Sequence, residues 1–252
     1  IPPSRSPLRR AKEGRPTEKP LSSRAPTPEP GVASGLRSRS GCFGGVGAAL
    51  ARLAAADADL ARAVAAVGPL PDRRREPGFA TLVRILVDQQ LSVAAADAIW
   101  TRLSQAAAPL VASGPSTMTP ESLLRLRTER MRKAGLSRPK IGYCREIARA
   151  VTSGALDLDG LSRLDDAAAI ANLTTVKGIG RWTAEIYLLF ALGRTDIWPA
   201  QDVALQHAVG ALKGLALRPD AKAMDALAEP WRPHRGAAAR LLWAYYRVLR
   251  AR

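Results

Sequence analysis

Apolar side chains recur at three- and four-residue spacing along nearly the whole chain from residue 45 onward, the period of an α-helix that buries one face. The pattern predicts one amphipathic helix over 46–67 and a second, rich in residues of buried type, over 79–91. Ser92 stands where an N-cap belongs and opens a third helix running to about Ala107. Thr119-Pro120 opens the next, with proline at the first helical position, and it is expected to stop near Gly135. Ser137 caps a helix over 139–153, Asp165 starts one that reaches Leu173, and Trp182 resumes a helix to Leu192. The last three are expected at 203–212, 220–227 and 235–249. Val/Ile/Thr alternation of any length is missing, so the predicted fold class is all-α.

Residues 1–41 break the pattern. Eight of the 19 prolines fall there among Ser, Gly and Arg, with nine basic residues against three acidic ones and almost no large apolar side chains. A disordered basic tail over 1–41 is expected, followed by one folded domain over 42–252. The whole chain carries 38 Lys and Arg against 22 Asp and Glu, a net charge of +16. Without the tail, 29 basic and 19 acidic residues still leave +10, so the folded part itself calls for a polyanionic partner, nucleic acid first. The longest apolar stretch, 46–70, is interrupted by Arg52, Asp57, Asp59 and Arg62, and the N-terminus has no apolar leader. The expectation is a protein without membrane contact, cytoplasmic and, in a bacterium, nucleoid-associated. Cys42 and Cys144 are too few and too far apart for a disulfide framework, a zinc ribbon or a four-cysteine cluster, and His207 and His234 are too few for a histidine-based metal centre. No cofactor is expected.

The most informative segment is LTTVKGIGRWTAE, residues 173–185. Gly178 and Gly180 are expected to supply the unusual dihedrals of a tight turn between two packed helices. A glycine turn that opens onto a helix N-terminus presents unpaired N–H groups and partial positive charge, which suits a phosphate; Lys177 and Arg181 add full charges on either side. A GxG alone also fits an ordinary helix connection.

Further along the chain, LVRILVDQQLSVAAADAIWTRL (82–103), MRKAGLSRPKIGYCREIARAV (131–151), the hairpin, PAQDVALQHAV (199–209) and WRPHRGAAARLLW (231–243) follow in the order seen in the 3-methyladenine DNA glycosylase II family. Together they span roughly 170 to 200 residues, an ordinary single-domain length. The resemblance implies a two-lobed helical body of helix-hairpin-helix DNA glycosylase type, with the lesion pocket in the cleft between lobes. It implies double-stranded DNA carrying alkylated bases as the partner of a monomeric enzyme. Asp202 matches the family's catalytic aspartate, although as an aspartate before 203–212 it also fits a plain N-cap. Bifunctional relatives carry a lysine two residues beyond the GxG for Schiff-base chemistry; here that position is Trp182, so hydrolysis without a lyase step is implied.

Trp182 and Trp243 match aromatic residues of the alkylpurine pocket, where an indole face favours a cationic purine by about 0.5–2 kcal/mol per contact. Of Tyr187, Tyr245 and Tyr246, spaced to face both core and surface, only one or two can reach a cleft, and Tyr187 is assigned to the pocket. DNA contacts are expected from Lys177, Gly178, Ile179, Gly180, Arg181 and Thr183, and from the turn Gln89-Gln90-Leu91-Ser92, which resembles the family's wedge. Gln90 aligns with the intercalating position, and Leu91 is the alternative. The carbonyls of Thr174, Val176 and Ile179 match positions that bind a monovalent cation in some helix-hairpin-helix proteins. Ile186 and Val203 stand where some relatives carry tyrosines, and Gln201 replaces a second acidic residue, which leaves substrate range open. Arg73-Arg74-Arg75, Arg138 and Lys140 could touch phosphates, yet a charge run is usually a solvated face, and they are read so; His207 reads as structural. Two other readings remain: a helix-hairpin-helix module that binds DNA without catalysis, and a bifunctional glycosylase/lyase.

Overall fold

The computed structural model describes residues 45–108 and 118–251; the expected basic tail and Cys42 lie outside the described residues. Every regular element among the described residues is helical. In chain order they are α1 Val46–Ala56, α2 Ala58–Val67, α3 Phe79–Asp88, α4 Val93–Ala107, α5 Pro120–Arg125, α6 Thr128–Ala134, α7 Arg138–Thr152, α8 Asp166–Thr174, α9 Arg181–Phe190, α10 Val203–Leu212, α11 Ala221–Ala228 and α12 Arg235–Arg250.

Side-chain caps set most of the starts. Ser92, Thr119, Ser137, Asp165, Asp202 and Asp220 each accept a hydrogen bond from the first turn of the helix they precede. Two expected helices are split. The one over 46–67 breaks at Asp57, which is extended and whose carboxylate accepts the amides of Asp59 and Leu60. The same carboxylate receives the Lys213 ammonium at 2.9 Å and the Trp231 indole N–H at 3.0 Å, so a tertiary network holds the kink. The helix over 120–135 breaks at Leu126 and Arg127, both extended, and the Leu126 carbonyl accepts a hydrogen bond from the Arg145 guanidinium of α7. Helix propensity alone does not register either event, since both depend on partners far along the chain.

The helices sort into two lobes. α1, α2, α10, α11 and α12 pack together, with Leu53, Leu60, Ala63, Val209 and Leu242 buried among them. α3 to α9 form the second lobe around Leu82, Leu86, Leu103, Leu123, Ile147 and Leu188. The chain therefore enters the second lobe once, through 68–78, and returns once, through 191–202. The entering segment is fastened to α9, from whose end the return leaves: the Arg75 amide donates to the Phe190 carbonyl at 2.9 Å, and the Gly78 amide donates to the Tyr187 hydroxyl at 2.9 Å. At the return, α12 comes so close that a side chain on Gly236 would sit 2.7 Å from the Thr195 carbonyl oxygen, which already accepts the Gly236 amide. No helix among the described residues is long and apolar enough to cross a membrane.

Candidate active site

A cleft of about 560 Å³ opens between the lobes. Trp182, Ile186 and Phe190 of α9 form one wall, and Trp243 and Tyr246 of α12 face it from the other lobe. Phe190 and Trp243 are in ring contact, with centroids 5.8 Å apart. Leu91 and Val93 stand at the mouth, 39% and 79% exposed. Asp202 sits beside this cleft at the N-terminus of α10. One carboxylate oxygen caps the Leu205 amide at 2.9 Å, and the other receives the Trp182 indole N–H at 2.8 Å. That second bond spans the lobes, so the carboxylate and the aromatic wall orient each other.

Below Trp182 the same helix buries a second carboxyl group. Glu185 is 2% exposed and paired with Arg181 at 2.8 Å, whereas Arg181 itself is largely exposed. Burial pushes the Glu185 carboxyl up to about 7; Arg181 opposes the rise, and the nearby Asp225 and Asp202 add to it.

The turn before α9 builds a second depression, about 610 Å³, lined by Thr174, Val176, Lys177, Ile179 and Gly180 on one side and by Gln89 and Gln90 on the other. Gly178 adopts φ +102, and a Cβ there would lie 2.4 Å from the Tyr143 Cβ, so only glycine fits. Gly180 differs from expectation: its backbone is ordinary extended chain, and a Cβ would meet nothing within 4 Å. A glycine at such a position leaves the outer surface bare. It precedes the amides of Arg181, Trp182 and Thr183, which as the first turn of α9 have no intrahelical acceptor.

Across this groove, α3 ends at Asp88 and the chain turns through Gln90 at φ +57, an exposed residue in the left-handed region. Such a conformation costs on the order of 1–3 kcal/mol and persists only where surroundings enforce it. They do so twice. Lys140 donates to the carbonyls of Val87 and Gln89 at 2.8 and 2.7 Å, and the Gln89 side-chain amide donates to the buried Thr183 hydroxyl at 2.6 Å. The turn at 89–92 is thereby tied to the hairpin.

Residues 83–233 match the HhH-GPD superfamily of base excision DNA repair proteins. The chain belongs to that superfamily. A DNA-3-methyladenine glycosylase 1 from Schizosaccharomyces pombe is 34% identical over 171 residues, 68% of this chain and 72% of the relative. A solved 3-methyladenine DNA glycosylase from the same yeast, in complex with abasic DNA, matches with a TM-score of 0.70 and 34% identity over 78% of this chain and 95% of that one. A DNA-3-methyladenine glycosidase from Bacillus halodurans matches with a TM-score of 0.66 and 34% identity over 79% and 88% of the two chains. The two-lobed all-α architecture with its interlobe cleft is the HhH-GPD fold.

Within this HhH-GPD chain, three residues stand elsewhere than expected. Tyr187 is not a pocket residue: it is fully buried, its hydroxyl accepts the Gly78 amide, and it belongs to the core beneath the crossing. The tyrosine that reaches the cleft is Tyr246. Lys140, expected on a solvated face, is half-buried and serves as the clamp on the α3 end. Arg73 and Arg74 are exposed at the rim of the cleft as that expectation has it, whereas Arg75 is half-buried and paired with Asp88 at 2.9 Å. Asp88 receives Arg84 as well, at 2.7 Å, and Arg84 reaches Asp97. Nothing in a three-arginine run distinguishes a cleft wall from a solvated loop; only the packing of 68–78 against α9 does. The carbonyls of Thr174, Val176 and Ile179 belong to residues that share the hairpin groove, and the Val176 carbonyl accepts the Ile179 amide at 3.0 Å. Among the described residues no three His, Cys, Asp or Glu side chains come together as a metal site would need.

Proposed function

We propose that the chain is a monofunctional DNA glycosylase: it flips alkylated purines of the 3-methyladenine and 7-methylguanine type out of the duplex and hydrolyses their N-glycosidic bond to leave an abasic site. The observation that carries this reading is the Asp202 carboxylate, held between the N-terminus of α10 and the Trp182 indole at the edge of an aromatic cleft. A purine alkylated at N3 or N7 already carries positive charge and leaves without an acid to protonate it. Only the sugar needs help, and a fixed carboxylate stabilises the developing oxocarbenium ion at C1′ and orients the attacking water. Trp182 and Trp243 sandwich the extruded base, and their electron-rich faces select the cationic form.

Other parts follow from the chemistry of holding a bent duplex. Lys177, Arg181 and the free amides beyond Gly180 take phosphate, with Thr183 buried behind them as the anchor of Gln89 rather than a DNA contact, and a monovalent cation on the carbonyls of Thr174, Val176 and Ile179 would add charge at the same groove. Gln90, at the exposed tip of the clamped turn, fills the space left by the flipped base, with Leu91 beside it facing the cleft. An indole at position 182 offers no amine to the sugar, so no lyase step is part of the reaction. The enzyme acts as a monomer, in the compartment that holds the DNA.

Asp202→Asn tests the reading. Asparagine keeps the helix cap but presents no second carboxylate oxygen to Trp182. Release of 3-methyladenine and 7-methylguanine is expected to fall by about a hundredfold or more, while affinity for abasic DNA stays within about threefold because phosphate contacts carry it. Full base release by this variant would refute the proposal.

A further inference from the structure

Among the described residues, Gln90 is the one non-glycine at positive φ. A glycine would hold φ +57 without strain, so a side chain is kept at this position against the backbone's preference. The protein itself makes no use of that side chain: it is exposed, and no hydrogen bond holds it among the described residues. Strain of this kind persists only where the surroundings over-determine it, and here they are organised by one helix. Lys140 stands in the first turn of α7, behind the Ser137 cap, and its half-buried ammonium donates to the carbonyls of Val87 and Gln89 at 2.8 and 2.7 Å, just before Gln90. Those carbonyls lie at the C-terminal end of α3, where intrahelical donors run out and a cation is favoured. Three residues further along the same face of α7, Tyr143 packs against the hairpin so closely that a Cβ on Gly178 would lie 2.4 Å from its own Cβ. Ile141, Cys144 and Ile147 are buried and fix α7 in its lobe. This helix is thus the common frame of the turn that carries Gln90 and of the hairpin, and the bond from Gln89 to Thr183 at 2.6 Å joins the two directly.

We propose that Lys140 is a positioning residue for base extrusion: it holds Gln90 in the pose from which the side chain enters the duplex, at a fixed offset from the phosphate-binding hairpin. The inference rests on the glycosylase reading and deepens it by naming what sets the wedge. With two of its three N–H bonds committed to backbone carbonyls, Lys140 supports the turn from behind and takes no part in bond cleavage. Without it, Gln90 relaxes to negative φ and its side chain leaves the wedge position. A paired base then returns to the stack more readily than it is extruded, whereas a base with no partner to leave needs little help from a wedge.

The test measures single-turnover release of 7-methylguanine from two duplexes, one with cytosine opposite the lesion and one with an abasic-site analogue there, so that the ratio is independent of the fraction of folded enzyme. In Lys140→Met, release from the paired lesion is expected to fall by about ten- to a hundredfold and release from the unpaired lesion by less than about threefold. Gln90→Gly removes side chain and strain together and should show the same split. Adding Lys140→Met to it should lower the paired rate by less than about threefold more, since a clamp with nothing to hold has no further effect. Thr183→Val cuts the second tie to the turn and shows a smaller split of the same sign; it carries the test if the methionine variant does not fold. No loss in Lys140→Met and Thr183→Val, an equal loss on both duplexes, or losses that multiply in the double variant overturn the positioning role and leave the glycosylase reading standing. A wild-type enzyme that releases 7-methylguanine from neither duplex overturns that reading and this inference with it.

Discussion

Glu185 shows how much one side chain on α9 carries. Its carboxyl, ordinarily near 4.5, is pushed up to about 7 by burial, so between those values the folded protein binds more protons than the unfolded chain. Stability contributed by the neutral form is present at the acid end of this window and is lost as pH rises through it, by about 3 kcal/mol. Glu185→Gln removes the titration. Urea unfolding at about pH 5 and about pH 8 is expected to show a wild-type protein that weakens between the two and a variant that does not. A wild-type stability that rises over this range would contradict the assignment. Asp202 and Trp182 were legible in the sequence because their spacing from the GxG is diagnostic of family, whereas the bond between them was not, since it joins residues of different lobes. Glu185 and Arg75 left no local signal. What sets each apart is a state of burial, and burial is decided by which helices pack over it.

At the level of elements, most helix starts were readable because Ser, Thr and Asp caps act through the next three residues. The breaks at Asp57 and Leu126 were not, because Lys213, Trp231 and Arg145 stabilise them from far away. The hairpin divides the roles of its two glycines. Gly178→Ala drives a Cβ against Tyr143 and forces a residue into φ +102, so it should destabilise the fold by about 2 kcal/mol or more. Gly180→Ala meets open space on the protein side; it should leave thermal unfolding close to wild type and, on the proposed reading in which a phosphate approaches there, weaken DNA binding. Calorimetry and a binding titration on the pair separate the two, and equal behaviour of both variants would contradict this division. The charged flanks act differently again. Replacing Lys177 and Arg181 together by alanine should reduce the slope of log affinity against log salt by about two and weaken all duplexes alike, lesion or not. A change confined to damaged DNA would show that these residues read the base.

Across the whole molecule, the lobes are assembled from discontinuous sequence. The first two helices complete the lobe that carries Asp202, and the entering segment is fastened to the end of α9 by the Arg75 amide on the Phe190 carbonyl. Arg240 of α12 adds a bond to the Leu189 carbonyl at 2.8 Å, and Trp182 reaches over to Asp202. The Arg240 and Trp182 bonds tie the two jaws to each other. Widening the gap would break these bonds together, and closing it would drive Phe190 into Trp243. On the proposed reading, the deformation needed to present a base therefore falls on the duplex. Such an enzyme would sort sites by the mechanical compliance of the helix it scans, and a lesion that weakens stacking would reach the cleft sooner than one that leaves its neighbours stiff.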